Sequence, residues 1–274
     1  MWIDRAARRA CLLVLAIACV LLGTSKVAHA FEVKTTASGL PLYWPSASVA
    51  FETDASVDLL PRGAAAAIGS AIQAWSGSGA GPTLSVTPAA SPSQPGYDGR
   101  NVIYFAPAGY PLAGNALAIT IVTYDDTTGQ ILDTDIVLNG IYAFAILPDG
   151  STAAPGAPQV ANEAGGAAGS FDEADVGQFD VAHVVAHETG HALGMDDEMV
   201  NPSPLMFLYT QPGDASRRAP TSDDFAGIAE LYADASAQRG CSGSTMSPKR
   251  PRPRMWMFVG AIVVLGAFLR RRRS

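Results

Sequence analysis

The chain has 274 residues, 48% hydrophobic and 16% charged, which is enough to bury one sizeable core without calling for a second domain. Its 18 basic side chains crowd toward the two ends, so residues 31–240 hold 24 acids against 6 bases, a formal charge of −18. Such a surface repels phosphate polymers and anionic lipid, which argues against nucleic-acid binding; the acidity serves solubility and admits calcium as a further cofactor.

Residues 1–30 read as a signal peptide. Arg5, Arg8 and Arg9 precede an apolar run from Cys11 to Leu22, and Ala28-His29-Ala30 supplies a small-residue cleavage site. The mature chain would then begin at Phe31 and keep Cys241 as its one cysteine, so an intramolecular disulfide is not expected. Strands are expected near Leu40–Trp44 and Ala47–Thr53. A helix is expected over Pro61–Ser76, where Ala65, Ile68, Ile72 and Trp75 recur at helical spacing and Pro61 suits a first helical position. The Gly, Ser and Pro content of residues 77–99 predicts loop around a strand at Thr83–Thr87. Further strands are expected at Asn101–Phe105, Ala116–Tyr124 and Ile131–Leu138, with a turn at Asp125–Gly129. Pro148–Gly169 is an Ala, Gly and Pro loop that cannot build a packed core.

Asp180 is placed to cap a helix that carries His187-Glu188-Thr189-Gly190-His191-Ala192-Leu193-Gly194-Met195-Asp196-Asp197. Residues four apart on a helix share a face, so His187 and His191 can aim two imidazoles at one metal ion, and zinc suits two such donors. Glu188, beside the first of them, is placed to act as general base toward a water held there. Gly194 is the residue type with which a helix ends in a left-handed turn, and such a turn would bring Asp197 back as a third ligand. No histidine follows His191, so the third ligand is an acid, His183, or absent. His183 stands a turn too early and reads as structural, whereas Glu230 on a later helix is an alternative that leaves Gly194 and Met206 without a purpose. Thr221-Ser222-Asp223-Asp224 reads as a capping box opening a last helix with Phe225, Ile228, Leu231 and Tyr232 inward.

The pattern H-E-x-x-H-x-x-G-x-x-D, followed by Met206 within Ser203-Pro204-Leu205-Met206-Phe207, resembles the metzincin clan of zinc metalloproteases, and within it the matrixins. The resemblance extends more weakly from Gly39-Leu40-Pro41-Leu42-Tyr43-Trp44 through Gly99–Phe105, Gly129–Asn139 and Asp180–Ala186 to Asp223–Tyr232. It implies an α+β fold: a twisted mixed β-sheet packed on two long helices, the zinc helix among them, with a small C-terminal subdomain and a final helix. It also implies that Ala116–Tyr124 is an edge strand pairing with substrate backbone, that His187, His191 and Asp197 hold zinc, that Glu188 is catalytic, and that Gly194 and Met206 shape the site. The chain departs from the family in having Asp197 where matrixins carry histidine, no upstream cysteine for a latency switch, and no histidines for a structural zinc.

The catalytic domain is expected over residues 31–236, followed by a linker of residues 237–254 containing Cys241. Residues 255–274 add a short apolar run, Met255–Leu269, and four arginines. That tail resembles the C-terminal sorting signals of myxobacterial surface proteins; a plain single-pass anchor is the alternative. The expected function is that of an exported zinc endopeptidase acting on proteins or peptides and held at the cell surface through its tail. The alternative is a surface-displayed, zinc-containing binding or structural protein without turnover, for which an intact Glu188 would have no use.

Overall fold

The structure, a computed structural model, describes residues 31–162 and 177–240. The signal peptide, the end of the Ala, Gly and Pro loop, Cys241 and the C-terminal tail lie outside the described residues. Among the described residues no helix is long and apolar enough to cross a membrane.

Five strands form a mixed sheet: β1 (Ser48–Thr53), β2 (Thr83–Pro88), β3 (Asn101–Ala106), β4 (Ala118–Tyr124) and β5 (Ile131–Asn139). Their spatial order is β2-β1-β3-β5-β4, with β4 outermost and antiparallel to β5 while the other pairs run parallel. Two helices, α1 (Ala64–Ala74) and α2 (Val181–Ala192), pack on one face, and α3 (Ser222–Gly240) closes the chain. Short pairs β6 (Ala143–Ala145) with β8 (Gln178–Asp180), and β7 (Val160–Ala161) with β9 (Tyr209–Thr210), tie the later loops together. These two-residue and three-residue strands had no periodic signal of their own, because pairing partners far along the chain define them.

Alternation along the strands divides the core. Phe51, Ile103, Ile136 and Leu138 face α1 and α2, where they meet Ile68, Ile72, Trp75, Val184 and Val185. On the opposite face Val102, Tyr104, Ile119, Ile121 and Val137 form a smaller cluster. A fully buried side chain of this kind contributes about 2 kcal/mol, so the larger face holds α2 in a fixed position against the sheet.

The sequence expectations differ from the structure in three places. Leu40–Trp44 is not a strand but a ribbon with isolated bridges, Pro41 to Thr35 and Tyr43 to Gln130. Pro41 has no N–H to donate, which leaves the ribbon unable to sustain a ladder. The first long helix starts at Ala64 rather than Pro61, because Gly63 takes a left-handed φ of 94° immediately before it. A 3-10 turn over Ala55–Leu59, capped by Asp54, fills the connection from β1. Finally, α3 continues to Gly240, past the last residues of its inward-facing pattern.

Candidate metal centre

Helix α2, which carries the two histidines, is fixed at both ends. Asp180 caps it by accepting the His183 N–H at 2.9 Å, and Arg218 grips the same carboxylate through Nε at 2.8 Å and through a terminal nitrogen at 2.6 Å. Side chains from elsewhere bind its carbonyls: the indole N–H of Trp75 donates to Ala186 at mid-helix, while that of Trp44 donates to Ala192 and the Tyr232 hydroxyl to Leu193 at its end. The helix ends at Gly194, whose φ is +98° and where a Cβ would lie 2.1 Å from the Leu42 carbonyl oxygen. Only glycine fits that turn, and the chain then doubles back toward the helix.

The turn brings three ligand atoms together. His187 Nε2 and His191 Nε2 are 3.1 Å apart, and Asp197 Oδ1 lies 3.2 Å from the first and 3.5 Å from the second. A tetrahedral ion bound at roughly 2.0–2.1 Å needs ligand-to-ligand edges of roughly 3.3 Å, so these donors fit a zinc-sized ion. Asp197 Oδ1 is buried and has no hydrogen-bond partner, the state of an oxygen whose remaining valence is meant for a cation. Burial alone would raise the Asp197 pKa, but His191 and His187 outweigh it and hold the carboxyl well below the usual range.

Both imidazoles are pre-oriented. His187 Nδ1–H donates to the Leu205 carbonyl at 2.9 Å and His191 Nδ1–H to the Met195 carbonyl at 3.0 Å, which leaves each Nε2 lone pair directed at the shared centre. Neither histidine is exposed to solvent. Glu188 is also fully buried, and Thr120 on β4 donates its hydroxyl to Glu188 Oε2 at 2.6 Å. Met206 packs against α2 at Gly190, where a Cβ would come within 2.2 Å of its sulfur and 2.8 Å of Trp75 Cζ2.

His183 stands apart from the trio. Its Nδ1 is 3.3 Å from the Thr210 hydroxyl, and burial, reinforced by Arg217 and His187, pushes its pKa down to about 3, so it is a neutral core group. Glu230 lies on the exposed face of α3. Among the described residues no other trio of histidine, cysteine and carboxylate ligand atoms converges.

Three contributors to the site were not singled out from sequence. Thr120 gave no signal, because nothing in a strand pattern says which helix residue it will face. Gly190 reads as an ordinary helix defect until Met206 and Trp75 are packed against it. Asp224 was visible only as a helix cap: it accepts Thr221 N–H and hydroxyl, each at 2.7 Å. Its carboxylate also takes the N–H of Leu205 at 3.0 Å and of Met206 at 3.1 Å. One carboxylate therefore starts α3 and holds the turn whose carbonyl orients His187.

A helix with two converging histidines, an adjacent glutamate and a candidate third ligand beyond a glycine turn is the arrangement that zincin-type metallopeptidase centres use, and this site resembles it. The family model described as Matrixin matches residues 124–233, which take in β5, α2, the ligand trio, Met206 and Asp224. The match supports a matrixin-like metalloprotease domain, in a family of zinc endopeptidases, over that part of the chain. No curated protein matches the chain.

Proposed function

We propose that the protein is an exported zinc endopeptidase that hydrolyses peptide bonds in proteins. The observation that carries the reading is the trio of His187, His191 and Asp197 donor atoms at tetrahedral spacing, with Glu188 on the same helix. His187, His191 and Asp197 would hold zinc, which when bound would supply Lewis acidity toward a water and the scissile carbonyl. Glu188 takes the proton from the attacking water and passes it to the leaving amine nitrogen. The Thr120 hydroxyl holds the Glu188 carboxylate in one rotamer while it does so. The substrate backbone pairs along the outer side of β4 beyond its first residue, Ala118, whose N–H is already taken by the Asn162 carbonyl. Removal of residues 1–30 and retention at the cell surface through the C-terminal tail complete the proposal.

The test is hydrolysis of an unstructured protein such as denatured casein, with and without a chelator, by the unchanged protein and by Glu188→Ala. Ligation and proton transfer use different residues, so Glu188→Ala is expected to keep about one zinc per chain and to lose activity by at least about 100-fold. Chelator-insensitive hydrolysis, or full activity in Glu188→Ala, would refute the reading.

A further inference from the structure

The stretch that reaches Asp197 has no secondary structure of its own. Beyond Gly194, residues Met195, Asp196 and Asp197 would each cost about 1–2 kcal/mol of backbone entropy to hold in one conformation, so something outside α2 must order them. On the far side of Asp197 the anchor is evident: Glu198 bridges to Phe207, donating its N–H to Met206 and accepting that of Leu208. On the near side the anchor is the segment that follows Ala30.

Val33 bridges antiparallel to Met195. Lys34 N–H donates to the Gly194 carbonyl at 2.8 Å, and Asp196 N–H donates to the Glu32 carbonyl at 2.9 Å. The segment is itself held from behind, since Leu42 N–H donates to the Lys34 carbonyl at 2.8 Å. Two routes lead from it to the ligands. Met195, gripped between Glu32 and Lys34, presents the carbonyl that accepts His191 Nδ1–H. The Lys34 ammonium meets Asp196 Oδ1 at 3.4 Å, and that same oxygen accepts the Asp197 N–H at 3.1 Å.

We propose that Glu32-Val33-Lys34 is a positioning element of the metal centre, which sets the His191 tautomer and the place of Asp197 Oδ1 by clamping Met195 and Asp196. The proposal rests on the zinc reading above. None of these residues touches substrate or metal; they act through the Met195 carbonyl on His191 Nδ1 and through Asp196 on the Asp197 N–H. A cut after Ala30 leaves the element whole and adjacent to the new terminus, whereas a cut beyond Lys34 removes every one of these contacts.

The test uses Lys34→Met, Asp196→Ala and their combination. Lys34→Met keeps the backbone N–H and the aliphatic stem but removes the ammonium, and Asp196 is partly exposed, so neither change threatens the core. Zinc affinity is measured by competition with a chromogenic chelator, and ligand geometry by the visible absorption of the cobalt-loaded protein. The expected result is about a two- to five-fold loss of zinc affinity in Lys34→Met and about ten-fold in Asp196→Ala, with altered cobalt bands in both. The double variant should lose no more than Asp196→Ala alone, because the lysine acts through that aspartate. Lys34→Pro, which deletes the N–H to Gly194, should lose about 10- to 100-fold. Unchanged affinity and unchanged cobalt spectra in Lys34→Met and Asp196→Ala would overturn the positioning role while leaving the zinc assignment standing. Failure of the unchanged protein to bind zinc would overturn both.

Discussion

Replacing Asp224 by alanine separates what holds the metal site from what holds the fold. The carboxylate accepts the backbone N–H groups of Leu205, Met206 and Thr221, and both Leu205 and Met206 are buried. Each of the two buried donors left without a partner costs about 1–3 kcal/mol, and loss of the helix cap adds about 1 kcal/mol, so Asp224→Ala should destabilise the apo protein by about 3–7 kcal/mol. A domain of this size has about 5–15 kcal/mol to lose, so the variant should still fold, at a lower denaturant midpoint. The site should suffer a second, distinct effect. Leu205 is the residue whose carbonyl orients His187, and loosening such an outer partner weakens metal binding by about 10- to 100-fold. Asp224→Asn, which keeps one acceptor oxygen, should fall between the two proteins on both measures. The assay is urea unfolding with chelator and with excess zinc. Zinc stabilises a protein by an amount that grows with the logarithm of its affinity for the folded state, so the zinc-induced rise in midpoint should be smaller in Asp224→Ala than in the unchanged protein. Equal rises in both proteins would refute the claim that Asp224 supports the metal centre as well as α3.

Asp197→Ala should lose zinc and activity together, whereas Asp197→His should retain both; an anionic ligand makes the metal less cationic, so the histidine variant should begin to act at a lower pH, as a pH profile of hydrolysis will show. Gly190→Ala should cost about 1–3 kcal/mol because its methyl meets Met206 and Trp75, and Gly190→Ala with Met206→Ala should recover part of that loss in thermal melts; a neutral single variant would contradict the close packing. Burial raises the Asp135 pKa to about 7 from 3.8, although its oxygens accept the Gly96 and Val102 N–H groups. The folded state thus binds the proton more tightly than the unfolded chain, and this contribution to stability is present below 3.8 and lost as pH rises toward 7. The stability of the unchanged protein minus that of Asp135→Asn, measured by melting across that window, should therefore rise as pH falls; a difference that falls would reverse the assignment.

The parts of this protein that were legible in its sequence are those whose cause lies within a few residues. Helical spacing brings His187 and His191 onto one face, Asp180 caps the same helix, and Thr221 and Asp224 form a reciprocal cap, all through contacts three or four residues long. Strands β1 to β5 announced themselves within a residue or two, since buried apolar residues alternate with exposed ones in β1 and β2, and apolar and β-branched residues crowd β3 to β5, which are largely buried on both faces. Tertiary structure alone decided the rest. Hydrogen bonds from Thr120 to Glu188, from Asp224 to the Leu205 turn, and between Lys34 and the turn after Gly194 join residues many positions apart. No local pattern encodes which partner a side chain will meet, because the pairing is settled only when the sheet, α2 and α3 are packed together. The candidate ligands are therefore written in one short helix and its turn, while the contacts that hold them in place are supplied by β4, α3 and the segment after Ala30.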